Sequence, residues 1–134
     1  TTAFQMGGST KISMVGTMIY IRSGAFSLNG SSGSLAWTAP GTGEYQGLAL
    51  FMDRNNSSAA SQTGSTAISS ESGTWYAPAS KCSFTGATVT TIYSQFICDT
   101  ITVTGSSNLT IKYDSTLVYQ APAQGSVCQV SLEE

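Results

Sequence analysis

Few groups in this chain could do chemistry. The internal acids are Glu44, Asp53, Glu71, Asp99 and Asp114, there is no His, and cysteines stand at 82, 98 and 128. Glycoside hydrolysis needs two carboxylates converging on one groove. Asp99 and Asp114 are the pair whose spacing would let them meet on successive turns of a stacked chain. Without His, a Ser or Cys nucleophile lacks its usual base, and no Gly-rich loop precedes a helix to hold a phosphate. Catalytic residues are therefore not expected, and neither is a cofactor.

The cysteines show no metal-ligand spacing, which with the lack of His argues against zinc. Cys82 and Cys98 are also separated by close to one such turn, which is compatible with a disulfide between neighbouring coils. The other reading is two buried thiols packed as small apolar residues. Cys128 is then the odd one, free or paired with another chain. Asp53-Arg54 ends the most apolar run, Leu48–Met52, and is expected to be a structural charged turn, the Asp bonding turn amides and the Arg reaching another loop. Trp37, Tyr45, Trp75, Tyr76, Tyr93, Tyr113 and Tyr119 either stack inside the fold or offer a surface for glycans. All four asparagines, Asn29, Asn55, Asn56 and Asn108, head an N-x-S/T triplet and are candidate glycosylation positions.

The elements that must position these residues are strands. Ser and Thr make up about 30% of the 134 residues, and 14 Gly separate short β-branched and aromatic runs, a composition that favours strands and turns over helices. Residues 8–30 (GSTKISMVGTMIYIRSGAFSLNG) align with residues 64–86 (GSTAISSESGTWYAPASKCSFTG), matching Gly8 with Gly64, Ile12 with Ile68, Tyr20 with Tyr76 and Leu28 with Phe84. Glycines after short apolar runs, at 8, 30, 47, 64, 86, 105 and 125, mark a finer and nearly even spacing inside that repeat. Repeats of this size belong to stacked architectures. The expectation is a single all-β domain over 1–134, a parallel β-helix with coils of about 17–22 residues. Residues 55–63 (NNSSAASQT) read as a surface loop. In Ile97–Thr104, strict alternation puts Ile97, Asp99, Ile101 and Val103 on one face against Cys98, Thr100, Thr102 and Thr104. Val127–Leu132 reads as a terminal strand that closes the stack.

A net charge of −2 with five scattered basic residues leaves no footprint for nucleic acid or anionic lipid. No apolar run approaches the ~18 residues of a membrane span, so direct membrane insertion is not expected.

Three motifs in order carry a family resemblance. Tyr45-x-Gly47-Leu48-Ala49-Leu50-Phe51-x-Asp53-Arg54, Gly73-Thr74-Trp75-Tyr76-Ala77-Pro78-Ala79 and the run from Gln95-Phe96-Ile97 to Asn108-Leu109 resemble the extracytoplasmic β-helical region of bacterial TadG-like, pilus-assembly-associated surface proteins. The resemblance spans residues 17–114. It implies a right-handed parallel β-helix displayed outside the cell, with no catalytic residues to carry over. Cys98 stands where such proteins usually have Ala, and the anchor they carry upstream is expected to lie outside this sequence. The function expected is a non-enzymatic extracellular scaffold, or an appendage subunit joined end to end through its open coils. The alternative is an adhesion module that binds surface glycans.

Overall fold

The structure, a computed structural model, describes residues 1–30, 34–64, 67–85, 90–105 and 109–121. Ten strands form one sheet in which every pairing is parallel. They are β1 (Thr2–Gly8), β2 (Lys11–Met14), β3 (Ile19–Ile21), β4 (Ala25–Gly30), β5 (Ser34–Thr38), β6 (Leu48–Met52), β7 (Ala60–Gly64), β8 (Ala67–Thr85), β9 (Thr90–Thr104) and β10 (Leu109–Lys112). No helix occurs among the described residues. The chain winds as a β-solenoid of about four turns.

Three flanks result. The first stacks β2, β5, the start of β8, the start of β9 and β10. The second stacks β3, β6 and the middles of β8 and β9. The third stacks β1, β4, β7 and the ends of β8 and β9. The long β8 and β9 each run along all three flanks as continuous strands, with the register between them shifting at the corner between Ala77 and Lys81.

Register shows that the coils are unequal. On the third flank Phe4, Phe26, Ala60, Cys82 and Ile101 lie one above the next, and the turn from Phe26 to Ala60 is much the longest. That turn exceeds the coil length expected from the glycine spacing, and its extra length lies in residues 39–47 and 53–59. Gly8, Gly30 and Gly64 share a column. Gly47 closes no coil and instead ends a loop inside the longest turn. Ile12, Leu35 and Ile68 share a column, as do Tyr20, Phe51 and Tyr76. Positions matched by the internal repeat therefore stand two coils apart.

Parallel partners point the same way, so each flank carries inward and outward rows. Inward rows meet in an aromatic core. Trp75 lies within 5.3–5.9 Å, centroid to centroid, of Phe26, Trp37, Phe84 and Phe96, which come from all three flanks. Trp37 and Trp75 are fully buried, and Trp37 Nε1 donates to the Thr17 carbonyl at 3.0 Å. Burying rings of this size contributes strongly to the apolar driving force.

Two local expectations change. Of the segment 55–63, residues from Ala60 onward are in β7, with Ala60 fully buried. The signal is faint because the inward positions are a small Ala and a polar Gln62, so the pattern reads as loop. In β9 the alternation slips by one at the corner around Asp99. Ile97 pairs with outward Tyr76, whereas Ile101 and Val103 pair with the buried Cys82 and Phe84 and so face inward. The bend, opposite the longer stretch Pro78–Ser80 of β8, resets the phase.

Candidate functional site

The outward row of the second flank is apolar and aromatic where an outward row would ordinarily be polar. It consists of Tyr20, Phe51, Tyr76 and Ile97 in successive coils. Tyr20 is 51% exposed, while Phe51 and Tyr76 are half-buried. Ring centroids step by 5.5 Å from Tyr20 to Phe51 and 5.2 Å from Phe51 to Tyr76, the latter pair stacked. The spacing follows from the strand separation of ~4.8 Å.

Two excursions wall this row. The loop 39–47 folds on itself through Gln46 N to Gly43 O (3.1 Å), Leu48 N to Tyr45 O (3.0 Å) and Gly47 N to Pro40 O (2.8 Å), and it presents Tyr45. The segment after β10 turns at Asp114, whose carboxylate accepts from Thr116 N (2.9 Å) and Thr116 Oγ1 (2.6 Å). These bonds hold the Asp114 carboxyl below its usual range. The segment then docks: Tyr119 N donates to Thr74 Oγ1 at 2.8 Å, Thr74 Oγ1 donates to Gln95 Oε1 at 3.1 Å, and Val118 is buried. Gly47 permits this approach. It has φ +76°, and a Cβ there would lie 2.3 Å from the Val118 carbonyl carbon.

Between these walls lies a cavity of about 210 Å³, bordered by Glu44, Tyr45, Phe51, Arg54, Tyr76 and Tyr119. The Arg54 guanidinium sits 6.0 Å from the Tyr76 ring centroid, within cation–π range. Arg54 thus does reach a neighbouring coil, although its partner is a ring.

Asp53 behaves as a turn residue. Its carboxylate accepts from Asn55 N (2.9 Å), Asn55 Nδ2 (3.3 Å) and the Tyr20 hydroxyl (3.3 Å). The Asn55 amide leads in lowering its pKa. Asp53 borders a separate, open polar hollow of about 520 Å³ with Arg22 and Asn55. Asn55 is exposed, and Asn29 is exposed with its side-chain oxygen accepting from Thr63. Asn56 differs: it is 5% exposed, its Nδ2 donates to the Gly24 carbonyl (3.0 Å), and its Oδ1 accepts from Ser58 N (3.1 Å). A side chain so enclosed leaves no room for a glycan, which corrects the triplet reading at that position.

Cys82 and Cys98 are joined in a disulfide with Cα atoms 6.1 Å apart. They are not ladder partners, since Cys82 pairs with Ile101 and Cys98 with Ala77; the bridge crosses the corner between the second and third flanks. Cys128, Asn108 and Val127–Leu132 lie outside the described residues.

Asp99 lies at the corner of β9 between the second and third flanks, and Asp114 in the turn after β10. Glu71 is buried in the core, and no cluster of three or more His, Cys, Asp or Glu suited to a metal occurs among the described residues. Of the aromatic residues singled out in the sequence, Trp37 and Trp75 belong to the core, Tyr45, Tyr76 and Tyr119 border the cavity, and Tyr93 and Tyr113 are exposed elsewhere. Tyr20 and Phe51 escape a sequence reading because the long turn sets them further apart in the chain than Phe51 and Tyr76. The match of Tyr20 with Tyr76 in the internal repeat was the available signal. No protein-family model, curated protein or solved structure matches the chain.

Proposed function

We propose that this chain is a non-enzymatic extracellular β-solenoid that acts as a surface-binding module, holding carbohydrate along its second flank. The observation that carries the reading is the outward row Tyr20, Phe51, Tyr76, bordered by Tyr45 and Tyr119. Pyranose rings present C–H faces that pack against the electron-rich faces of aromatic side chains, and their hydroxyls seek charged partners at the edge. A disulfide suits an oxidising compartment, which supports an extracellular setting, as does the resemblance to TadG-like surface proteins.

The test is binding to an array of surface glycans and to immobilised polysaccharides, with the double variant Tyr20→Ala/Phe51→Ala as control. Retention of wild type and loss in the variant is the expected result. Equal retention of both would refute the assignment to this flank.

A second reading, the scaffold or appendage subunit that grows end to end, is favoured by one observation. The inward-row residues of the last full turn, Ile101 and Val103, are each 51% exposed, and open coil ends invite continuation. Electron microscopy and light scattering of the purified protein decide it. Fibres with an axial repeat support end-to-end growth, and a concentration-independent monomer rules it out.

A further inference from the structure

The row alone would favour any apolar partner, but the cavity beside it has a more particular chemistry. It holds one acid, Glu44, and one base, Arg54, and both are exposed. Neither forms an ion pair among the described residues: Arg54 interacts with the Tyr76 ring, and Glu44 has no side-chain partner there. One side chain only accepts hydrogen bonds and the other only donates them. A ligand complementary to both carries donors and acceptors together and no net charge. The rest of the wall, Tyr45, Leu48, Phe51, Tyr76 and Tyr119, calls for an apolar face on the same ligand. At about 210 Å³ the space is below the ~300–1,000 Å³ of pockets for drug-sized molecules, and it suits a single ring.

Resting on the carbohydrate reading of this flank, we propose that the cavity is a subsite for one neutral pyranose residue of the bound glycan. A tyrosine ring lies against its C–H face, the Glu44 carboxylate accepts from its hydroxyls and the Arg54 guanidinium donates to them. Selectivity follows from the charges. A uronate in the same place would gain an interaction with Arg54 but would set its carboxylate near Glu44, and like charges in one confined site oppose binding. Tyr119 reaches the site only because Thr74 and Gly47 seat residues 113–121 across the loop, so the subsite depends on that segment.

The test is an NMR titration of the full chain with methyl glucoside, methyl galactoside, methyl mannoside and methyl glucuronide, run beside polysaccharide retention. Glu44→Gln and Tyr119→Ala probe the cavity, and Tyr93→Ala, exposed on the first flank, is the control. Thermal melting confirms that each variant is folded. The expected result is saturable shifts with at least one neutral glycoside, weakened about tenfold in the cavity variants and unchanged in Tyr93→Ala. Tighter binding of the glucuronide than of every neutral glycoside would overturn the charge assignment. Polysaccharide retention that depends on Tyr20 and Phe51 while no glycoside binds, or while Glu44→Gln and Tyr119→Ala have no effect, would overturn the subsite and leave the flank reading standing. Absence of both polysaccharide and glycoside binding would overturn both.

Discussion

Glu71 makes the stability of this solenoid depend on pH. Its side chain is in the inward row of the first flank, above Trp37, and is 3% exposed. Gln62 Nε2 donates to Oε2 at 3.3 Å, and Oε1 is buried without a partner among the described residues. Burial disfavours the carboxylate and pushes the pKa from 4.5 to about 7, with the Gln62 bond acting weakly in the opposite direction. Because the folded value is the higher one, the contribution is complete below the unfolded pKa and is lost as pH rises through the folded pKa. At 1.36 kcal/mol per unit, the change between about pH 4.5 and pH 8 comes to about 3 kcal/mol. For a chain of this size that is roughly 8–12 °C in Tm. Glu71→Gln keeps the shape and the bond to Gln62 while removing the charge, so its stability should be flat over the window and should exceed wild type at the alkaline end. Thermal and urea unfolding of both proteins across the window is the assay, and the wild-type minus variant difference isolates Glu71 from other groups. Parallel profiles for the two proteins would refute the burial argument.

Three further outcomes follow from the packing. Reducing the Cys82–Cys98 bridge, or replacing both cysteines with Ser, should cost about 3 kcal/mol, as expected for a closed loop with a sequence separation of 16, read by urea unfolding. Gly47→Ala should cost about 1–3 kcal/mol and release residues 113–121, because its Cβ would collide with the Val118 backbone; limited proteolysis within that segment should accelerate while the cut rate elsewhere changes less. Asn56→Ala leaves the Gly24 carbonyl and the Ser58 amide without their side-chain partner and should cost about 1–3 kcal/mol. Mass spectrometry after expression in a glycosylating host should find Asn56 unmodified.

The stacking was legible because solenoid positions repeat in kind: Tyr20 and Tyr76, Leu28 and Phe84, and Gly8 and Gly64 occupy equivalent sites two coils apart. Coil boundaries were less so. Glycine at 47 resembles the coil-closing glycines at 8, 30 and 64, yet its role is to let residue 118 approach, and spacing carries no mark of that difference. Corners hid the faces of β9, since a bend at Asp99 shifts the inward phase by one position without any break in the strand. The candidate site was half visible. Tyr45, Tyr76, Tyr119 and Arg54 stand out by residue type, but their convergence depends on Thr74 holding a segment far along the chain, a contact that local pattern does not encode. Phe51 sits in an almost wholly apolar run, Leu48–Met52, where only register shows that it faces outward while Leu50 and Met52 face the core.

The most direct test of a carbohydrate-binding second flank is a map of amide shifts on titration with an oligosaccharide cut from whichever polysaccharide the protein retains. Shifts concentrated at residues 20, 45, 51, 54, 76 and 119 are the predicted result. Shifts concentrated instead on the hydroxyl-bearing outward row of the third flank, Ser27, Ser61 and Ser83, with the aromatic row silent, would contradict it.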